Sequence, residues 1–118
     1  MYPTDKAVFE CGDYTIFEIT TPDGLVRESI EMRNCLYQSD YGYKLVLGLC
    51  KFYSVRILDP YWRSRAVMMM DCRQRAIVEI KGKNNSSPAQ RVMPVIEKFA
   101  YANHLRMDWI EQNVPVED

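Results

Sequence analysis

The chain has 118 residues, 47% of them apolar and 26% charged, with a formal net charge of −1. That is the profile of a soluble globular protein with one modest core. No apolar run approaches the roughly 18 residues of a membrane span, and a net charge near zero argues against acidic mimicry of nucleic acid.

The opening "MYPTDKAVFECGD" lacks the charged-then-apolar pattern of a signal peptide, so a cytoplasmic location in the host cell and no membrane contact are expected. "YTIFEIT", Tyr14 to Thr20, is rich in β-branched and aromatic residues and predicts a strand. "TPDG" at 21–24 carries turn chemistry. The helix expected next is "LVRESIEMRNCLY", with Leu25, Ser29, Met32 and Leu36 near one face. Gly42 and Gly48 bracket "YKLVLG", for which a short helix and an irregular segment both remain open.

Three strand candidates follow. "KFYSVRIL" alternates, with Tyr53, Val55 and Ile57 on one side and Phe52, Ser54 and Arg56 on the other. "RAVMMMD" and "RAIVEIK" flank "DCRQ", a connection suited to a hairpin. Met68 and Met70 then share a face and Met69 takes the other. "LDPYWRS", 58–64, is the expected loop between the first two, with Tyr61 and Trp62 at its tip. In the last strand Ala76, Val78 and Ile80 face one way and Ile77, Glu79 and Lys81 the other. After "GKNNSSP" a helix begins, either capped by Ser87 with Pro88 in the first turn or starting at Met93-Pro94. It is expected to continue through Trp109 into an acidic tail.

This order predicts an α+β fold: an antiparallel sheet of about four strands with helices packed on one face, in the order strand, helix, strands, helix. One domain spans 1–118, with 105–118 as a C-terminal helix extension and acidic tail.

Charge is unevenly placed. Residues 1–40 carry a net −5, and residues 51–91 a net +6. A basic middle suits phosphates or an acidic protein surface, and equally suits pairing with the acidic first third. The four cysteines, 11, 35, 50 and 72, form no Cys-x-x-Cys pair, and His104 is the only histidine. Neither a zinc site nor a disulfide is expected, and no cofactor.

Three segments together resemble the PcfJ-like family of plasmid- and phage-encoded proteins. They are "FEITTPDGLVRESIEMRNCL" (17–36), "YSVRILDPYWRSRAVMMMD" (53–71) and "AIVEIKGKNNSSPAQRVMPVIEKF" (76–99), in the family's order. The last resembles its strand, Arg/Lys-Gly-x-x-Asn, proline and amphipathic helix, with Gly82 and Asn85 in the matching places. The family usually has His immediately before Cys, whereas Asn34 stands here. The resemblance implies the biology of mobile elements, conjugation or phage infection, and implies no known reaction. A small stand-alone copy suits an accessory protein, with inhibition of a host defence of the anti-CRISPR type as one role.

Several constellations bear on chemistry. Cys35 is the nucleophile candidate, but Asn34 cannot serve as its base, and packing beside Met32 and Leu36 is the favoured reading. Lys81, Gly82, Lys83, Asn84 and Asn85, with Arg91, either cradle an anion or form a turn in which Gly82 takes positive φ. Tyr61 and Trp62 with Arg63 and Arg65, joined by Tyr37, Tyr41, Tyr43 and Trp109, match the composition of interface anchors or of base-stacking platforms, and equally of aromatics that cover the core edge with their polar tips in water. Three functions therefore stand. The preferred one is a non-catalytic binding factor acting on a host or mobile-element protein complex. The others are a nucleic-acid or phosphate-binding module and a cysteine-dependent enzyme. So small a core is also compatible with a homodimer.

Overall fold

The computed structural model describes residues 4–33, 40–58 and 61–108. Five strands form one open antiparallel sheet in sequence order: β1 (Lys6–Cys11), β2 (Tyr14–Ile19), β3 (Cys50–Leu58), β4 (Trp62–Asp71) and β5 (Ala76–Lys81). Helices α1 (Pro22–Met32) and α2 (Tyr41–Val46) fall between β2 and β3, and α3 (Met93–Ala102) follows β5. The α+β antiparallel architecture expected from the sequence is present. β1 is the additional strand. It is an edge strand of which only Phe9 and Cys11 reach the core, so its apolar signal is thin. Gly12, at φ +60, makes the tight turn into β2.

Helices cover both faces rather than one. On the first face Ile16, Tyr53, Val55, Ala66, Met68 and Met70 pack beneath Val95, Ile96, Phe99 and Ala100 of α3. On the second, Ile19, Phe52 and Val67 pack against Leu25 of α1, with Tyr41 and Leu45 of α2 beside them. The alternation of β3 therefore holds, but its Phe52–Ser54–Arg56 side is roofed by α1 instead of facing water. Met68 and Met70 do share a face, with Met69 on the other.

Bulges break strict alternation at two places that matter. Met69 pairs with Glu79 and Met70 with Ile77, so Val78 is the extra residue. Ile77 is thereby turned into the core beside Ile80, against the parity expected of a regular strand. Val55 pairs with Ala66 and Arg56 with Ser64, leaving Arg65 unpaired on β4.

Helix ends follow local chemistry. "TPDG" is a cap rather than a turn: Thr21 Oγ1 accepts from the Gly24 amide at 3.0 Å, and Pro22 takes the first helical turn. Arg33, at φ 52, ends α1. "YGYKLV" is the short helix. α3 starts at Met93 with Pro94 in its first turn, the second of the two starts the sequence allows, and Ser87 does not cap it. α3 stops at Ala102, and the chain turns at His104 (φ 56) to pair Arg106 with Ala76. Residues 103–108 therefore leave the helix direction instead of extending it.

Candidate functional site

The loop 82–92 and the β4 bulge build a basic cleft. Gly82 donates its amide to Ser86 O at 2.7 Å, while Ser86 donates its amide (3.1 Å) and hydroxyl (2.6 Å) to Lys83 O. These bonds close a small ring. Its left-handed residues are Asn84 (φ 58) and Asn85 (φ 61), a conformation asparagine tolerates well. Gly82 itself sits at φ −87, so the expected positive φ is not the reason for glycine there. The reason is space: a Cβ would lie 3.0 Å from Ser87 O and 3.3 Å from Pro88 Cα, both backbone atoms.

This ring lies beside the bulged Arg65. Arg65, Gly82, Lys83, Ser86, Ser87 and Arg91 line a cleft of about 190 Å³. Bulges commonly re-aim a side chain, and here the unpaired strand position brings Arg65 to the loop. Its Nε is buried and has no hydrogen-bond partner. Among the described residues neither Arg65 nor the exposed Lys83 forms an ion pair. Three cationic side chains with an unmet donor and the Ser87 hydroxyl form an arrangement suited to an anion.

The structure sorts the sequence candidates. It brings Arg65, Gly82, Lys83 and Arg91 together. Lys81 is turned away: its Nζ pairs with Glu79 at 3.0 Å and lies 6.0 Å from the Tyr41 ring centre, on the α2 side. The Tyr41 hydroxyl donates to Glu79 there. Asn84 and Asn85 shape the loop without lining the cleft. Trp62 belongs to β4 rather than to a loop tip and packs edge-on against Phe17, with ring centres 5.2 Å apart. Tyr61 is 75% exposed, and Arg63 is exposed as well. Asn34, Cys35, Tyr37 and Trp109 lie outside the described residues. Ser86 and Ser87 also line the cleft, with Ser87 as the hydroxyl donor, because the Ser86 hydroxyl is committed to Lys83 O. The Ser-Ser pair before Pro88 was the available signal for them.

A second polar centre lies under α1. Arg56 on β3 is 3% exposed. Its Nη2 donates to Asp5 Oδ2 at 2.8 Å and to Glu28 Oε1 at 3.0 Å, and its Nε donates to Ser54 Oγ at 3.0 Å. Ser54 and Ser64 donate to Glu28 at 2.5 and 2.9 Å. Arg56 also stacks 4.8 Å over the Phe17 ring. Burial pushes the Glu28 carboxyl above its ordinary range, opposed by Arg56 and the two serines. Glu28 sits between Leu25 and Met32 on the helix, within the apolar stripe. A charge in that stripe, with Ser54 and Arg56 alternating on β3, was the legible hint of this cluster.

Among the described residues no group of three or more His, Cys, Asp or Glu side chains is placed to hold a metal ion. No described helix is long and apolar enough to cross a membrane. No protein-family model, curated protein or solved structure matches the chain.

Proposed function

We propose that the protein is a non-catalytic binding factor whose principal ligand is a phosphate-bearing anion, taken into the cleft between the β4 bulge and the 82–92 loop. The observation that carries this reading is Arg65 Nε, buried without a hydrogen-bond partner beside Lys83 and Arg91. A buried donor left unmet costs about 1–3 kcal/mol, which an incoming phosphate oxygen would recover. Nucleic-acid phosphate is the natural source of such an anion for a mobile-element accessory protein, the setting the family resemblance implies.

The test is an anisotropy titration with single- and double-stranded DNA and RNA at low and at physiological salt. Affinity falls steeply with salt in the native protein. Arg65→Gln and Lys83→Ala each weaken binding across all sequences and reduce the salt slope by about 1. Unchanged affinity in both variants, with the fold intact, removes the cleft from the function.

A protein-contact role is favoured by one separate observation. Tyr61, 75% exposed, and exposed Arg63 stand where β3 returns as β4, a pairing typical of interface anchors. Through it the chain would engage a host or mobile-element complex, with inhibition of a host defence as the expected consequence. Pull-down from a host lysate with the native protein and Tyr61→Ala, identified by mass spectrometry, tests it. A partner retained equally by both excludes this surface.

A further inference from the structure

A cleft of about 240 Å³ opens above the Arg56 cluster, between α1 and the segment leading into β1. Asp5, Glu28 and Arg56 form its floor, with side chains 1%, 1% and 4% exposed. Arg27, Ile30 and Glu31 stand at its rim, all exposed. Two floor atoms have no hydrogen-bond partner: Asp5 Oδ1, an acceptor, and Arg56 Nη1, a donor. Buried polar groups are otherwise almost always satisfied. Their neighbours on the same side chains, Asp5 Oδ2 and Arg56 Nη2, are bonded to each other at 2.8 Å. The unmet pair is thus one donor and one acceptor, on two side chains joined by an ion pair.

Gly24 is part of the device. A Cβ there would lie 3.2 Å from Asp5 Oδ1 and 2.8 Å from Ile19 Cγ2. The missing side chain is what admits the Asp5 carboxylate to this position.

We propose that this cleft binds a compact neutral ligand bearing a hydrogen-bond donor and acceptor on one edge, of the primary carboxamide class. The carboxamide N–H donates to Asp5 Oδ1, and its carbonyl accepts from Arg56 Nη1. A simple anion meets Arg56 already paired with two carboxylates and is repelled by them. A simple cation satisfies Asp5 but leaves Arg56 Nη1 unmet and faces its charge. Ser54 and Ser64, each fully buried, act as positioning groups for Glu28 and have no route to a bound molecule. The unmet atoms are themselves out of water's reach, so entry requires the rim to yield. Ile30, 68% exposed at the rim, has little packing to lose by yielding. This site is independent of the basic cleft.

The experiment is an NMR titration of the native chain, following backbone amides and the Arg56 Nε–Hε signal. The probes are acetamide, acetate and guanidinium. Acetamide produces a saturable shift at Gly24, Glu28 and Arg56, while acetate and guanidinium do not. Ile30→Trp plugs the mouth from an exposed position, and the acetamide response is lost while the thermal midpoint is retained. Absence of a saturable acetamide response, an equal response to acetate or guanidinium, or a response that survives Ile30→Trp each overturns the proposal. The first of these leaves only ordered water to satisfy the two atoms.

Discussion

Replacing Arg56 by methionine keeps the length of the side chain and removes its charge. In the native protein the guanidinium neutralises Asp5 and Glu28 at 2.8 and 3.0 Å and bonds Ser54 at 3.0 Å. Both carboxylates are buried to within 1% of full exclusion from solvent, so neither finds water when the cation goes. Breaking one side of a buried ion pair is typically worth about 3–5 kcal/mol. With a urea m-value of about 2 kcal/mol/M, the midpoint falls by about 1.5–2.5 M, and the thermal midpoint by roughly 12–20 °C for a chain of this size. The deficit comes from stranded negative charge, so it shrinks on acidification from pH 7 to pH 5 as Glu28 takes up a proton. Urea unfolding at the two pH values, followed by tryptophan fluorescence and far-UV circular dichroism, measures both. A loss under about 1 kcal/mol at pH 7, well below the buried-pair range, refutes the reasoning. So does a deficit that grows at pH 5.

Glu28→Gln isolates the titration. The folded-state pKa of Glu28 is raised above its ordinary 4.5 by burial, so the folded state binds the proton more tightly than the unfolded chain. Its contribution is fully present below pH 4.5 and is lost as pH rises through the folded pKa. The stability of the native protein relative to Glu28→Gln therefore declines from acid toward neutral pH, as a series of urea midpoints will show. Phe99→Ala removes the ring that meets Phe9 and Tyr53 edge-on at 5.6 and 4.9 Å. It costs about 3–5 kcal/mol, read as a lowered thermal midpoint. Gly82→Ala places a Cβ against the Ser87 carbonyl at 3.0 Å. The expected loss is about 1–3 kcal/mol, although φ −87 itself suits alanine. An unchanged midpoint would show that the loop yields freely.

Local chemistry carried much of the fold into the sequence. Alternation marked β2, β3 and most of β4 and β5, because a strand half-buried on a layer writes its period directly into residue type. The same period puts Met68 and Met70 on one face and Met69 on the other. β1 was hidden because an edge strand with two core contacts leaves little periodic trace. Register was partly hidden: a single extra residue at Val78 turns Ile77 inward, and no composition signal announces a bulge.

The candidate sites divide in the same way. The residue types around Gly82 mark a loop able to carry an anion, and Arg65, Lys83 and Arg91 are legible as cationic binding candidates. Which of them meet was a tertiary matter. Lys81 and Lys83 flank one glycine, yet one pairs with Glu79 on the α2 side and the other lines the cleft. Trp62 looked like a loop-tip anchor and is held against Phe17 because β4 starts there.

The buried Arg56 cluster shows the limit most clearly. Each member read alone is an ordinary surface residue type: an aspartate near the start, a glutamate on a helix, an arginine and two serines on strands. The sequence by itself determined the strand periods and an α+β order. Only the tertiary structure decided that a second helix layer would roof the Ser54–Arg56 face. It drew Asp5 and Glu28 from 51 and 28 residues away onto one guanidinium. Such long-range convergence depends on which layers stack, and no local window of the chain records it.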